Sequence, residues 1–180
     1  MPMSRVVELR AGPRYRAIEL ASSLPVQPGR SARQYETSLE REAVNIKTAC
    51  MRLEFLLYAN FDPSDWFATL TYDDAHLPSN YEAARKNVPA FLRKVRESRR
   101  PRGQPCGYVY VMEGMHGDHR VHHHLVIHRA DGDTSFLQSA WGKGNVDIRT
   151  IDAFGGIRKM AQYISKEPRK TGKLRVGQRM

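Results

Sequence analysis

The sequence predicts an α+β fold: a central antiparallel β-sheet with helices packed on it, preceded by one further helix. Two observations carry this. Short stretches rich in aromatic and β-branched residues, at 66–72, 108–113, 120–127 and 145–150, read as strands bounded by turn residues. Between and after them lie segments with apolar residues at helical spacing. Their order, β-α-β-β-α-β-α, is that of a split β-α-β architecture with helices over one face of the sheet.

Taken in order, residues 1–30 are rich in Pro, Gly, Ser and Arg and form a basic arm. Within it, residues 6–9 can pair with 15–18 across Ala11, Gly12 and Pro13 as a hairpin. Residues 31–60 read as an N-terminal helix, with Leu39, Ala43, Ile46, Cys50, Leu53 and Leu57 on one stripe. The strand at 66–72 ends on Asp73 and Asp74. Residues 79–82 read as a capping box for a helix that runs to Arg99, with Val88, Phe91, Leu92 and Val95 inward. Pro89 is expected to restart or kink it. Its exposed side carries Arg93, Lys94, Arg96, Arg99 and Arg100, a solvated face at minimum and a candidate phosphate track. A short helix at 134–140 precedes the strand at 145–150. Gly155 and Gly156 then lead into a helix at 157–167 closed by Pro168, and the tail at 169–180 is basic and without pattern.

With 180 residues and 41% hydrophobic content the chain can bury a real core. Its apolar runs are too short to span a bilayer, and the N-terminus leads into no apolar signal region. Cys50 and Cys106 stand alone, which fits a reducing compartment and no disulfide framework. The formal net charge of +10 favours a polyanionic partner, although a basic excess alone is common. No phosphate-cradling G-x-x-x-x-G-K-[ST] is present.

The strand His122-His123-His124-Leu125-Val126-Ile127 carries the chemistry. Residues two apart in a strand share a face, so His122 and His124 can hold one metal ion while His123 points the other way. Two ordinary surface histidines, or a structural zinc site drawing on His116, His119 or His128, are the competing readings. The preceding strand ends in Glu113, and the loop at 114–119 connects the two. Such a hairpin brings Glu113 beside the histidine pair, a mixed N/O donor set suited to Mn²⁺ or Mg²⁺. In the helix at 157–167, Ile157, Met160, Ala161 and Ile164 share one arc, and Tyr163 falls outside it beside Lys159 and Lys166. A phenol grouped with cations can be drawn toward phenolate or bind phosphate; an amphipathic boundary tyrosine is the plainer reading. Thr69 and Thr71 share a face of the first sheet strand, for ligand contact or, more simply, packing.

The succession F-x-T-L-T-Y at 67–72, Glu113 with H-x-H at His122 and His124, and Y-x-x-K at Tyr163 and Lys166 resembles the HUH endonuclease superfamily. More narrowly it resembles the rolling-circle replication initiators of small single-stranded DNA phages and plasmids. The likeness spans about 66–168. It departs in one place, since the residue between the two histidines is normally bulky and hydrophobic and here is His123. The resemblance implies a ferredoxin/RRM-like nuclease fold for residues 61–168, with Glu113, His122 and His124 as metal ligands. Tyr163 becomes the nucleophile and Lys166 its partner, with DNA contacts from Thr69, Thr71, Arg93, Lys94, Arg96 and Lys159. It also implies single-stranded DNA or an origin hairpin as substrate, helicase and polymerase acting in trans, and the cytoplasm of a bacterial host. A transposase or relaxase of the same superfamily, a hydrolase using metal-activated water, and a non-catalytic nucleic-acid binding module are the alternatives.

Overall fold

The computed structural model describes residues 4–13, 15–22, 39–114, 120–165 and 177–179. The chain divides into two compact units, residues 1–60 and 61–180. In the first, β1 (Ser4–Ala11) and β2 (Tyr15–Ser22) pair antiparallel, with Val7 opposite Glu19 and Ala11 opposite Tyr15. The hairpin expected in the arm is therefore present. Helix α1 spans Leu39–Asn60, and residues 31–38, the expected first part of the helix, lie outside the described residues. Its stripe is buried progressively: Ala43 is exposed, Ile46 and Cys50 are half-buried, and Leu53 and Leu57 are buried.

The second unit is built on an antiparallel sheet of β3 (Trp66–Leu70), β4 (Tyr108–Glu113), β5 (His122–Ile127) and β6 (Val146–Thr150), in the order β6-β3-β5-β4. Helix α2 (Tyr81–Arg99) connects β3 to β4, and α3 (Thr134–Trp141) connects β5 to β6. Each connection carries the chain past one intervening strand, which is the split β-α-β arrangement. A short β7 (Gly177–Arg179) pairs with the outer edge of β4, opposite Tyr108–Tyr110. The tail reads as patternless because edge pairing uses backbone groups and leaves no mark in side-chain type.

Strand alternation sorts the two faces of the sheet. Trp66, Ala68, Leu70, Leu125 and Ile127 face one way and are buried with Val88, Phe91, Leu92 and Val95 of α2 and Leu137, Ala140 and Trp141 of α3. Burial of each large apolar side chain contributes roughly 1.5–3 kcal/mol, so this face holds most of the unit's stability. The ladder of β3 ends at Leu70, short of the expected Tyr72, yet the backbone N–H groups of Thr71 and Asp73 still donate to the carbonyls of Asn145 and Lys143. Gly144 allows this approach, because a Cβ there would overlap the Thr71 carbonyl.

Three expectations for α2 are corrected. Its N-cap is Asn80, whose side chain accepts from the Ala83 N–H at 2.9 Å, and not Ser79. An Asn cap satisfies the same orphan donor without the reciprocal glutamate. The helix is also continuous through Pro89, which sits on the exposed side, so it does not restart there. Arg99, expected on the exposed face, is fully buried. Its Nε donates to Asp133 Oδ2 at 2.7 Å and its Nη1 to the Pro105 carbonyl at 2.8 Å, while Arg102 Nη2 donates to Asp133 Oδ1 at 2.9 Å. Arg99 lies one turn beyond Val95 on the inward arc, and its position in the helix overrides its residue type. The aspartate it pairs with offsets part of the desolvation of a buried guanidinium.

His123 occupies the helix-covered face with no exposed surface. Its Nε2 lies 2.7 Å from the Tyr72 hydroxyl, which also accepts from Asn87 Nδ2 of α2 at 3.0 Å. The departure from a hydrophobic residue is thus met at one ring nitrogen, Nε2, while the buried Nδ1 has no hydrogen-bond partner among the described residues. Burial, aided by the charge of His122 and His124, pushes its pKa down to about 3. The native protein therefore holds His123 neutral, whereas the unfolded chain takes up a proton near pH 6.5. Stability from this group is complete above pH 6.5 and falls as the pH drops toward 3, by about 1.4 kcal/mol per pH unit. Urea unfolding in chelator between pH 7.5 and 4.5, pH values chosen to bracket that window, is expected to show a shallower acid loss for His123→Phe than for wild type. Equal slopes would mean that His123 is protonated in the folded state.

Candidate active site

The opposite face of the sheet carries the other set of alternating side chains. Register places Glu113 of β4 directly across from His122 of β5, and Thr69 of β3 directly across from His124. His124 is buried, while His122 and Glu113 are half-buried. Glu113 Oε2 lies 3.3 Å from His122 Nε2 and 3.4 Å from His124 Nε2. One donor atom from each residue falls within 4.8 Å of the others. The hairpin thus brings together the three residues the sequence singles out, although its tip, Met115 to His119, lies outside the described residues.

Protonation follows from the neighbours. His122 Nδ1 is 2.9 Å from the Arg120 carbonyl, which can only accept, so Nδ1 carries a proton and Nε2 is the nitrogen that faces the centre. Burial works to raise the Glu113 pKa, but the facing imidazoles, by hydrogen bond and by charge, outweigh it and hold the carboxyl at about 2. At neutral pH the group is an anionic oxygen donor beside two imidazoles. That donor chemistry fits a divalent metal ion. The structural-zinc reading gains nothing here: His128 Nδ1 accepts from the Gly107 N–H at 3.1 Å and its ring packs on Phe61. His116 and His119 lie outside the described residues, and the Cys106 thiol, pushed up by burial, belongs to no such group among the described residues.

Tyr163 reaches this centre from α5 (Ile157–Ile164). Ile157, Met160, Ala161 and Ile164 are buried and seat the helix, leaving the tyrosine at its flank. Its hydroxyl lies 3.2 Å from His124 Nε2. Two aromatic residues that sequence reasoning assigned no role complete the setting. Phe67 stacks on His124 at 5.3 Å and 17°, and Phe154 meets both Phe67 at 4.7 Å and Tyr163 at 5.2 Å. Phe67 opens the F-x-T-L-T-Y stretch and shares strand parity with Thr69, but neither signal gives it a contact. Phe154 belongs to α4 (Ile151–Phe154), a four-residue helix too short to leave a periodic pattern. Lys159, one turn before Tyr163, is exposed, and its aliphatic stem crosses Gly155, where a Cβ would collide with it.

The remaining candidates sit elsewhere or are engaged within the protein. Thr69 Oγ1 lies 3.2 Å from His124 Nδ1. Thr71 Oγ1 donates to the Asn145 carbonyl at 3.2 Å and clasps the loop entering β6. Arg93 and Arg96 are exposed on α2, which covers the face of the sheet away from Glu113, His122 and His124. Lys94 donates to the Ala140 carbonyl of α3 at 3.0 Å. Lys166 lies outside the described residues.

A family model described as replication-associated protein ORF2/G2P matches residues 65–168, more than half of the chain. The chain belongs to this family. No curated protein and no solved structure matches it. Replication-associated proteins of this family are rolling-circle initiators of the HUH endonuclease class. The match takes in β3 through α5, and so Glu113, His122, His124 and Tyr163 together. Among the described residues, no helix is long and apolar enough to cross a membrane.

The donor set gives a direct expectation for this replication-associated protein. Mn²⁺ at a hundredfold excess over its dissociation constant should raise the unfolding free energy by about 2.7 kcal/mol. Glu113→Gln, which keeps the shape but loses the anionic donor, should abolish the rise in a thermal melt with and without chelator. A rise of equal size in the variant would place the ion elsewhere.

Proposed function

We propose that this protein initiates rolling-circle replication as a sequence-directed nickase and strand-transferase of single-stranded DNA, acting through a covalent 5′-phosphotyrosine. The observation that carries the reading is the Tyr163 hydroxyl 3.2 Å from His124 Nε2, at the edge of the three-residue donor set. A tyrosine used for packing alone has no need to meet a candidate metal ligand through its polar atom.

In this reading Glu113, His122 and His124 hold Mn²⁺ or Mg²⁺, which supplies Lewis-acid polarisation of the scissile phosphate. Tyr163 Oη attacks phosphorus, forming one P–O bond as the bond to the 3′ oxygen breaks. The phenolic proton is lost to solvent, and the leaving 3′ oxygen takes one up to become a free hydroxyl. One phosphodiester is exchanged for another, so the linkage energy is kept and a new 3′ end can reverse the step. A phenol ionises near pH 10 in water, so Lys159 and Lys166 are assigned to favour the phenolate or to neutralise phosphate charge. Phe67 and Phe154 hold the tyrosine ring in reach of the centre.

The DNA contacts follow from which side chains are available. With the hydroxyls of Thr69 and Thr71 engaged by His124 and Asn145, the strand or origin hairpin is assigned to Lys159 near the centre. Arg93 and Arg96, on the far face, are assigned to a flanking stretch of DNA. Helicase and polymerase are assigned to other chains, and the host cytoplasm is the expected setting.

The test is incubation with circular single-stranded DNA and Mn²⁺, followed by a denaturing gel. A covalent protein–DNA adduct is expected from the wild-type protein and none from Tyr163→Phe or in chelator. Cleavage that survives Tyr163→Phe would replace this reading with hydrolysis by activated water. DNA binding without cleavage of a hairpin library would replace it with a binding module.

A further inference from the structure

The two imidazoles at the centre are oriented by different means. His122 Nδ1 bonds to a main-chain carbonyl, that of Arg120, at 2.9 Å. His124 Nδ1 faces a side chain, the Thr69 hydroxyl, at 3.2 Å. A carbonyl dictates the tautomer because it can only accept; a hydroxyl can donate or accept and dictates nothing by itself. What decides the direction at His124 is the other nitrogen. Its Nε2 faces both Glu113 Oε2 and the Tyr163 hydroxyl, the place where a lone pair is needed for an ion.

We propose that Thr69 is a positioning residue that accepts the hydrogen bond of His124 Nδ1–H and so fixes the tautomer whose Nε2 lone pair faces the metal centre. The role rests on the reading of Glu113, His122 and His124 as that centre. Register supports it: Thr69 and His124 are direct partners in the β3–β5 ladder, with side chains on the same face. Phe67 stacks on the His124 ring and restricts the turn about Cβ–Cγ that would put a ring carbon where each nitrogen now sits. A β-branched side chain is stiff about its first torsion, so the hydroxyl is held and not merely within reach. Thr71, on the same parity, directs its hydroxyl to Asn145, so the two threonines of the T-x-T pair do different work. Outer partners of this kind typically matter by roughly 10- to 100-fold in metal affinity.

Two readouts test the role without measuring cleavage. The first is whether His124 Nδ1 carries a proton in metal-free protein, read from long-range ¹H–¹⁵N correlations of the imidazole. The second is Mn²⁺ affinity from the electron paramagnetic resonance signal of the free ion. Wild type and Thr69→Ser are expected to show Nδ1–H and similar affinity. Thr69→Val is expected to shift His124 toward Nε2–H and to bind Mn²⁺ roughly 10- to 100-fold more weakly. An Nε2–H tautomer in the wild-type protein would overturn the proposal, and this holds even if Thr69→Val fails to fold. Unchanged tautomer and affinity in Thr69→Val, alongside lost binding in His122→Ala, would overturn it while leaving the metal centre intact. No Mn²⁺ binding by wild type at all would overturn the centre itself, and the role of Thr69 with it.

Discussion

Consecutive residues of β5 point to opposite faces of the sheet, so a slip of one residue would turn His122 and His124 into the core and present His123 to the site. Nothing in three successive histidines distinguishes those registers chemically. The distinction comes from what each face offers. On the covered side, Tyr72 and Asn87 supply one hydrogen-bonded socket, which fits a single neutral imidazole. On the other, Glu113, Thr69 and the Arg120 carbonyl receive two. The apolar run Leu125, Val126 and Ile127, all buried, then locks the choice, because alternate members pack against the β3 and α2 side chains. Every other feature of the site inherits its position from this register.

The two faces of the sheet divide the work between them. The side under α2 and α3 is close-packed around Trp66, Leu70, Leu125 and Trp141. Its polar exceptions, His123 and Arg99, are each met by a partner. The other side is held by packed aromatic rings, Phe67, Phe154, Tyr163 and His124, around an anionic carboxylate. Rigidity from the first side lets the second keep polar groups close together without collapsing around them.

Much of this was legible in the residues themselves, and the failures have physical causes. Alternation marked β4 and β5, and the short helix at 134–140 and the strand at 145–150 appear within a residue of their expected limits. Glu113, His122 and His124 were readable because strand period and hairpin connection together force them onto one patch. Arg99 was misplaced because charge was weighed above helical phase. Asn80 displaced Ser79 because neighbouring residues can serve equally as a cap. The roles of Phe67 and Phe154 depend on ring contacts between segments far apart in sequence, and no local pattern encodes those.

Helix α5 hangs on the unit by Ile157, Met160, Ala161 and Ile164, behind a pair of glycines at φ +110° and +90°. Once a DNA end is joined to Tyr163 in the proposed way, any tension along that strand passes into this eight-residue helix and is borne by those four buried side chains. The anchor's strength is then set in large part by how firmly a short helix is seated.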